Sequence, residues 1–150
     1  MKRFDLYAVT GVLAVVGIGL ALYLFYEYLN PAPYSACYVN STINCDASTI
    51  GPLANTLGIP TALWGLTGYI VILAAAFKRW PRVLLGMTTF GMLFCLRITY
   101  LEIFSLNTIC PVCLACQVDM LAVFALAIAL FRQTRAGAAP AARSPGTAAA

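Results

Sequence analysis

The sequence predicts an all-α integral membrane protein: a bundle of four transmembrane helices, with a short helix on the outer face after the first loop. Two features of the composition predict the membrane class, since 62% of the 150 residues are hydrophobic and only 9% are charged. A soluble domain carries about 25% charged residues. This chain therefore has more apolar surface than a water-soluble core absorbs, and its four separate apolar stretches predict the number of helices.

The four apolar stretches are each close to the roughly 20 residues that a spanning helix needs. They cover residues 6–26, 61–77, 83–106 and 110–131, and the second is the shortest. Residues 136–150 are rich in Ala, Pro and Gly and show no periodicity. They predict a disordered tail after a membrane domain of residues 1–135.

The basic residues predict the orientation of the bundle. Eight of the nine lie before the first helix, between the second and third, or after the fourth: Lys2, Arg3, Lys78, Arg79, Arg82, Arg132, Arg135 and Arg143. With four spans these regions share one side, which the positive-inside rule assigns to the cytoplasm together with both termini. Residues 30–60 and 107–109 contain no Lys or Arg and are expected on the outer face.

Four of the six cysteines form two pairs that this topology places on the outer face, where disulfides are permitted. Cys37 and Cys45 lie in the polar first loop, and Cys110 and Cys113 form a C-x-x-C that opens the last helix. The N–H groups and dipole of a helix N-terminus stabilise a thiolate, so one of the latter sulfurs is expected to have a lowered pKa. Two dithiols on one membrane surface indicate electron transfer by thiol–disulfide exchange, ending in a lipid-soluble redox partner.

The first loop predicts a short helix from Cys45 to about residue 57, capped by Asp46 or Ser48. Cys45 would then also lie near a helix N-terminus. Cys37 falls in a Pro- and Ser-containing stretch with nothing to bury it. An alternative for both cysteine pairs is a set of structural disulfides in a non-catalytic membrane protein.

Cys116 extends the second pair to C-x-x-C-x-x-C, a spacing also found in zinc and iron–sulfur sites. The chain has no His, and a set of four thiolates would have to borrow a loop cysteine. We therefore expect no metal. Cys116 and Cys95 are interpreted as small apolar residues inside helices.

The residues around these cysteines resemble the vitamin K epoxide reductase family, in the form of a bacterial or archaeal homologue without a fused partner domain. The matching features are, in chain order, Cys37-x7-Cys45-Asp46, Ser48, Gly58-Ile59-Pro60, Leu63-Trp64-Gly65, Tyr69, Tyr100-Leu101-Glu102 and Cys110-Pro111-Val112-Cys113-Leu114. The resemblance covers nearly the whole chain. The loop pair comes first and the C-x-x-C last, an order opposite to that of another family of quinone-linked membrane oxidases.

The resemblance implies a membrane thiol:quinone oxidoreductase, a quinone-dependent enzyme that supports disulfide bond formation. In such a protein a four-helix bundle surrounds a quinone of the ubiquinone or menaquinone type. By the same resemblance Cys113 faces the quinone ring, Cys110 exchanges with Cys45, and Cys37 meets a separate thioredoxin-like redox protein. Electrons would pass from that protein through the loop pair to the C-x-x-C pair and then to the quinone.

The quinone-binding residues expected from the resemblance and from helix depth are Thr61, Leu63, Trp64, Cys113 and Gln117. Trp64 is equally well interpreted as an interfacial anchor. Vertebrate members carry an Asn where this chain has Thr61 and a Tyr where it has Gln117. Thr61 is expected to donate one hydrogen bond to the quinone. Reduction of a quinone or vitamin K epoxide for its own sake is the alternative activity, with less support from these two positions.

Three charged residues fall within the predicted spans, where charges are costly and are usually paired or functional. Arg97 lies eleven residues before Thr108, at the turn between the last two helices, and Asp119 lies eleven after it. These two are predicted to form an ion pair. Glu102 is expected nearer the outer surface, at about the level of Leu114, where it either relays protons to the quinone or reaches interfacial water.

Overall fold

Four long helices and a small cap make up the part of the chain that the structure describes. The computed structural model describes residues 3–30, 37 and 39–137. Its elements are α1 (Arg3–Leu29), α2 (Asp46–Thr49), β1 (Asn55–Thr56), β2 (Ile59–Pro60), α3 (Thr61–Phe77), α4 (Pro81–Ser105) and α5 (Pro111–Gly137). The four long helices confirm the predicted all-α membrane bundle. Residues 138–150, which make up most of the predicted tail, lie outside the described residues.

The long helices have the dimensions and surface of membrane spans. Three of them, over Phe4–Leu29, Pro81–Ser105 and Pro111–Ala136, are long and apolar enough to cross a membrane. The fourth, α3, is apolar but has only 17 residues. Large apolar side chains such as Val12 and Leu93 are 64% exposed. A surface of this kind is compatible with lipid, which makes the chain a multi-pass membrane protein.

The bundle packs α1 against α3 and α5, and α4 against α3 and α5. Its core is made of apolar side chains with very little exposed surface, among them Ile72, Leu84 and Val123. Two buried hydroxyls also lie in this core. Thr10 donates to the Leu6 carbonyl at 2.8 Å and Thr88 to the Leu84 carbonyl at 2.9 Å. Each hydroxyl is satisfied within its own helix, as the interior of a membrane protein requires.

The short helix after Cys45 is shorter than predicted. It ends at Thr49 rather than near residue 57, because Pro52 lacks the N–H that a continuing helix needs. The chain instead forms the antiparallel ribbon β1–β2. Leu57 (φ 56°) and Gly58 (φ 79°) supply the left-handed turn between its strands, and Pro60 leads directly into α3.

The basic segments gather at one end of the bundle. The Arg79 guanidinium lies 5.2 Å from the centre of the Phe4 ring, which joins the α3–α4 turn to the start of α1. Arg82 and Arg135 border one groove, which joins the same turn to the end of α5. The two cysteine pairs lie at the opposite end. The up-and-down arrangement assumed for the charge argument is therefore the one that the chain adopts.

The predicted ion pair between Arg97 and Asp119 is wrong. Arg97 is exposed on α4, whereas Asp119 is 8% exposed, and no ion pair joins them within the described part of the chain. The Asp119 carboxyl interacts instead with the hydroxyl of Tyr69. Equal distance from the turn gives the two residues equal depth, but the rotation of each helix sends one side chain outward and the other inward.

The close approach of α1 and α3 depends on Gly17. A Cβ at this position would overlap the ring of Tyr69, a side chain that is 2% exposed. We expect Gly17→Ala to lower the stability of the bundle by about 1–3 kcal/mol, the usual cost of overpacking. Thermal unfolding in detergent measures this. Gly19→Ala is the matched control, because nothing lies within 4 Å of a Cβ there; an equal loss in both variants would contradict the packing argument.

Candidate redox site at the cysteine end

The first loop is held on the α4–α5 turn by backbone hydrogen bonds. The Ile109 N–H donates to the Thr42 carbonyl at 2.8 Å, and the Asn44 N–H donates to the Ile109 carbonyl at 3.2 Å. Within the loop, the Asn40 side chain accepts hydrogen bonds from the N–H groups of Thr42 and Ile43. The loop is thereby shaped locally and fixed to the end of the bundle.

Cys45 lies at the junction between this docked segment and α2. The side chain of Asn44 donates to the Ser41 carbonyl at 2.9 Å and accepts from the N–H of Asp46 at 3.2 Å. Thr49 donates its hydroxyl to the Cys45 carbonyl at 2.9 Å. Neither predicted cap, Asp46 or Ser48, caps α2, whose N-cap residue is Cys45 itself, without a side-chain cap bond. These contacts fix the position of the Cys45 sulfur.

Three sulfur atoms meet beneath the docked loop. Cys37 and Cys45 form a disulfide, and the Cys110 sulfur lies 2.7 Å from the Cys45 sulfur. All three residues are buried, with exposed fractions of 4%, 0% and 1%. Exchange proceeds by attack of a thiolate on a disulfide sulfur, so Cys110 lies within reach of exchange with Cys45. The expectation that nothing buries Cys37 is wrong, because it lies in a buried cluster with Cys45 and Cys110, against which Leu24 and Val112 pack.

Cys110 immediately precedes the first residue of α5 and accepts a hydrogen bond there. The N–H of Cys113 donates to the Cys110 sulfur at 3.3 Å. The thiol of Cys113 and the N–H groups of Cys113 and Val112 favour the thiolate, and together they lower the pKa of Cys110 in spite of its burial. This agrees with a thiolate held at a helix N-terminus. The sulfur with the lowered pKa is also the one that faces the loop disulfide.

Cys113, one turn further along, faces a hydroxyl and a carboxyl. Its sulfur lies 3.3 Å from the Ser48 hydroxyl oxygen, and Ser48 donates a short hydrogen bond to Glu102. The sulfurs of Cys110 and Cys113 and a Glu102 carboxylate oxygen all lie within 4.8 Å of one another. Glu102 is 2% exposed. The dithiol therefore has a buried carboxyl as its immediate neighbour.

An apolar cavity opens beside Cys113 between α1, α3, α4 and α5. Ser48 and Cys113 supply polar atoms at its lining, and most of the remaining walls are hydrocarbon and aromatic. Side chains of this kind include Ile72, Met87, Phe90, Phe94, Ile98 and Met120. An apolar cavity with a few placed polar groups is typical of sites for small apolar ligands. The residues present therefore fit a quinone ring.

The residues predicted to bind the quinone divide into two groups. Thr61, Trp64 and Cys113 line the cavity, whereas Leu63 and Gln117 do not. The amide nitrogen of Gln117 donates to the Met92 sulfur at 3.2 Å. Gln117 lies one turn after Cys113, and its contact is with α4 rather than with the cavity.

Thr61 does not offer the hydrogen bond that the sequence analysis expected of it. Its hydroxyl donates to the Leu53 carbonyl at 2.6 Å and contacts the Thr56 hydroxyl at 2.9 Å. Trp64 donates its indole N–H to the Thr56 carbonyl at 3.2 Å. Both polar groups tie the β ribbon to the start of α3. Thr61 and Trp64 therefore line the cavity, but the hydrogens of their polar groups are already donated to backbone carbonyls.

The sequence did not predict the aromatic walls of the cavity or the hydrogen bond from Ser48 in the cap to Glu102 on α4. Phe90 and Phe94 line the cavity from α4, but aromatic residues are common in membrane helices and no spacing distinguished these two. Cys116 also lines the cavity. Among the described residues it belongs to neither cluster of grouped sulfur and carboxylate atoms. The C-x-x-C-x-x-C spacing thus does not gather its three sulfurs.

The fold and the site together define a class: multi-pass membrane proteins with two dithiols in exchange contact and an apolar cavity beside one of them. The model of the vitamin K epoxide reductase family matches residues 8–128 of this chain. The chain belongs to that family. It is therefore a membrane oxidoreductase of a family that acts with quinone-type compounds.

The contact between Cys45 and Cys110 predicts a specific cross-link. Removing the other two partners with Cys37→Ser and Cys113→Ser leaves these sulfurs facing each other at 2.7 Å. We expect mild oxidation to join them almost completely. Cleavage in the α3–α4 turn followed by non-reducing electrophoresis detects the linked fragments. The control combines Cys37→Ser with Cys110→Ser, and equal linkage of Cys45 to Cys113 there would contradict the arrangement.

Proposed function

We propose that this protein is a thiol:quinone oxidoreductase that drives disulfide bond formation. It takes electrons from a separate thioredoxin-like protein through Cys37 and Cys45, passes them to Cys110 and Cys113, and delivers them to a quinone. The observation that carries the proposal is the 2.7 Å contact between the sulfurs of Cys45 and Cys110. A relay of dithiols works only if its members come within attacking distance.

The end of the relay that delivers electrons to the quinone is Cys113. Its sulfur borders the apolar cavity, and Cys110 lies next to it on the same helix end. A quinone ring in the cavity accepts two electrons from this pair. The sulfurs of Cys110 and Cys113 join in a disulfide, their two protons are released, and the quinone takes up two protons to become a hydroquinone. Ubiquinone-type and menaquinone-type rings both suit walls of this kind.

The second step passes oxidising equivalents outward. Cys45, as a thiolate, attacks the sulfur of Cys110 in the new disulfide, and Cys113 leaves as a thiol. Cys37 then attacks Cys45, which forms the loop disulfide and releases Cys110. The structure, with Cys37 and Cys45 joined and Cys110 and Cys113 free, corresponds to the arrangement after this transfer.

The last step requires a protein partner with its own dithiol. A thiolate of that partner attacks Cys37, and its second thiol completes the exchange. Because Cys37 is 4% exposed, its sulfur must become more accessible before the attack. The positive-inside rule assigns the basic end of the bundle to the cytoplasm. The cysteine end then faces the outer compartment, where the partner's disulfide persists.

Two variants separate the steps of this relay. Purified protein is given a soluble short-chain quinone and a reduced thioredoxin-like protein, and quinone loss is followed by absorbance. Cys113→Ala is expected to abolish quinone loss. Cys45→Ala is expected to abolish repeated turnover while keeping one turnover after chemical reduction of Cys110 and Cys113, because that pair still reaches the cavity.

The control for this experiment is Gly19→Ala, an exposed position on α1 that does not line the cavity and where nothing lies within 4 Å of a Cβ. It should turn over at the wild-type rate. Undiminished turnover in both cysteine variants would refute the relay. Wild-type thiols that are unchanged by quinone would favour structural disulfides.

The orientation of the bundle is tested with cysteines introduced at its two ends. Ser41, in the polar first loop, is exposed, and Phe77, at the end of α3, is 80% exposed. In intact cells a membrane-impermeant maleimide should label Ser41→Cys. It should label Phe77→Cys only after the membrane is permeabilised. The unmodified protein gives the background from its own thiols, and the reverse labelling pattern would contradict the proposed orientation.

A further inference from the structure

Glu102 is a buried carboxyl without a cationic partner. It is 2% exposed on α4, and no Lys or Arg forms an ion pair with it in the described part of the chain. The groups that interact with it are the Ser48 hydroxyl, the Cys113 thiol and the Cys110 N–H, and the Cys110 sulfur lies nearby. A carboxyl in a membrane span is costly, so such a residue is functional more often than incidental.

The hydrogen bonds around Ser48 have a direction. Ser48 has one hydroxyl hydrogen, which it donates to Glu102. Its oxygen is then left to accept a hydrogen bond from the Cys113 thiol, at an S···O distance of 3.3 Å. The single Cys113 S–H hydrogen is shared between two acceptors, the Cys110 sulfur and the Ser48 oxygen. When it points to Ser48, a continuous chain of donors runs from the Cys113 S–H through the Ser48 O–H to the Glu102 carboxylate.

We infer that Glu102 is the proton carrier of quinone reduction and that Ser48 is its link to the cavity. This inference rests on the proposed function, since it supplies the proton transfer that the reaction with a quinone requires. Ser48 and Cys113 both line the cavity, whereas Glu102 lies behind them. The carboxylate is thus placed to take a proton from the reacting thiol without itself occupying the space of the ring.

The reaction balances with one proton carried by Glu102. The Cys113 S–H bond breaks, and its proton moves through Ser48 to the Glu102 carboxylate. The sulfurs of Cys113 and Cys110 form a disulfide bond, and two electrons pass to the quinone. Glu102 returns its proton through Ser48 to a quinone oxygen. The Cys110 proton is lost to water when its thiolate forms, and the second hydroquinone proton is taken from water.

Asp119 offers a matched comparison within the same molecule. It is the other buried carboxyl among the described residues, with 8% exposed surface. It lies on α5 beside Tyr69, and the interactions of its carboxyl do not include Cys110 or Cys113. If a buried carboxyl is needed only for folding, substitution of either residue should slow quinone reduction by disturbing the fold. If contact with the dithiol is what matters, only substitution of Glu102 should slow it.

The test is a single turnover with the full-length protein in detergent. The protein is reduced with a dithiol, freed of reductant, and mixed with a short-chain benzoquinone while hydroquinone formation is followed. Glu102→Gln preserves size and hydrogen bonding but carries no proton. We expect it to slow this step by about 100-fold, the lower end of general acid–base contributions. Ser48→Ala, which removes the link, should slow it as well.

Two further measurements distinguish a proton carrier from a structural residue. The wild-type rate should depend on pH and fall in deuterated water, and both effects should be lost in Glu102→Gln. Exchange between the loop disulfide and a reduced thioredoxin-like protein needs no quinone and should keep its wild-type rate. Asp119→Asn should reduce the quinone as fast as the wild type does.

Three results would overturn the inference. The first is a Glu102→Gln variant that reduces quinone at the wild-type rate with the same isotope effect. The second is equal slowing of quinone reduction and thiol exchange, which indicates damage to the fold. The third is equal slowing by Asp119→Asn. If the wild-type protein reduces no quinone, both the proposed function and the role of Glu102 are refuted. If the wild type is active and Glu102→Gln is equally active, only the role of Glu102 is refuted.

Discussion

The docking of the first loop on the α4–α5 turn is the interaction on which the rest of the site depends. Two backbone hydrogen bonds, which form the parallel bridge between Ile43 and Ile109, join segments that are far apart in the chain. Backbone groups near a membrane interior need partners, and these segments supply them to each other. The same contact places Cys45 next to Cys110 and Ser48 next to Glu102. The proposed thiol exchange and the proposed proton transfer therefore depend on the same contact.

The bundle was predictable because its signals are local. Each span is a run of apolar residues of sufficient length, and α3 has the predicted bounds, Thr61–Phe77, since Pro60 and Lys78 mark its ends. The cap was less predictable. Its helix stops before Pro52, and the turn uses Leu57 in a left-handed conformation that residues with side chains rarely adopt. Capping residues alone did not reveal either feature.

The site was predictable only in part. The C-x-x-C at the start of the last helix and the loop pair indicated thiol exchange, and the family resemblance supplied an order of electron transfer. No motif in the sequence indicated the contacts between segments that are distant in the chain. Cys37 is buried by its packing with Cys45 and Cys110, and the Thr61 hydroxyl donates to the Leu53 carbonyl. The error over Arg97 and Asp119 arose because depth along a helix does not specify its face.

The shortness of α3 has a consequence for how the cap meets the lipid. Its 17 residues span about 25 Å, which is less than the roughly 30 Å of a typical hydrocarbon layer. The β ribbon that precedes α3 carries Leu57 and Ile59 on its exposed surface, and Ile50 in the preceding segment is exposed as well. We expect these apolar side chains to supply the missing depth, so that the cap is itself partly immersed. The match between the protein and the bilayer thickness would then help to hold the thiols over the cavity.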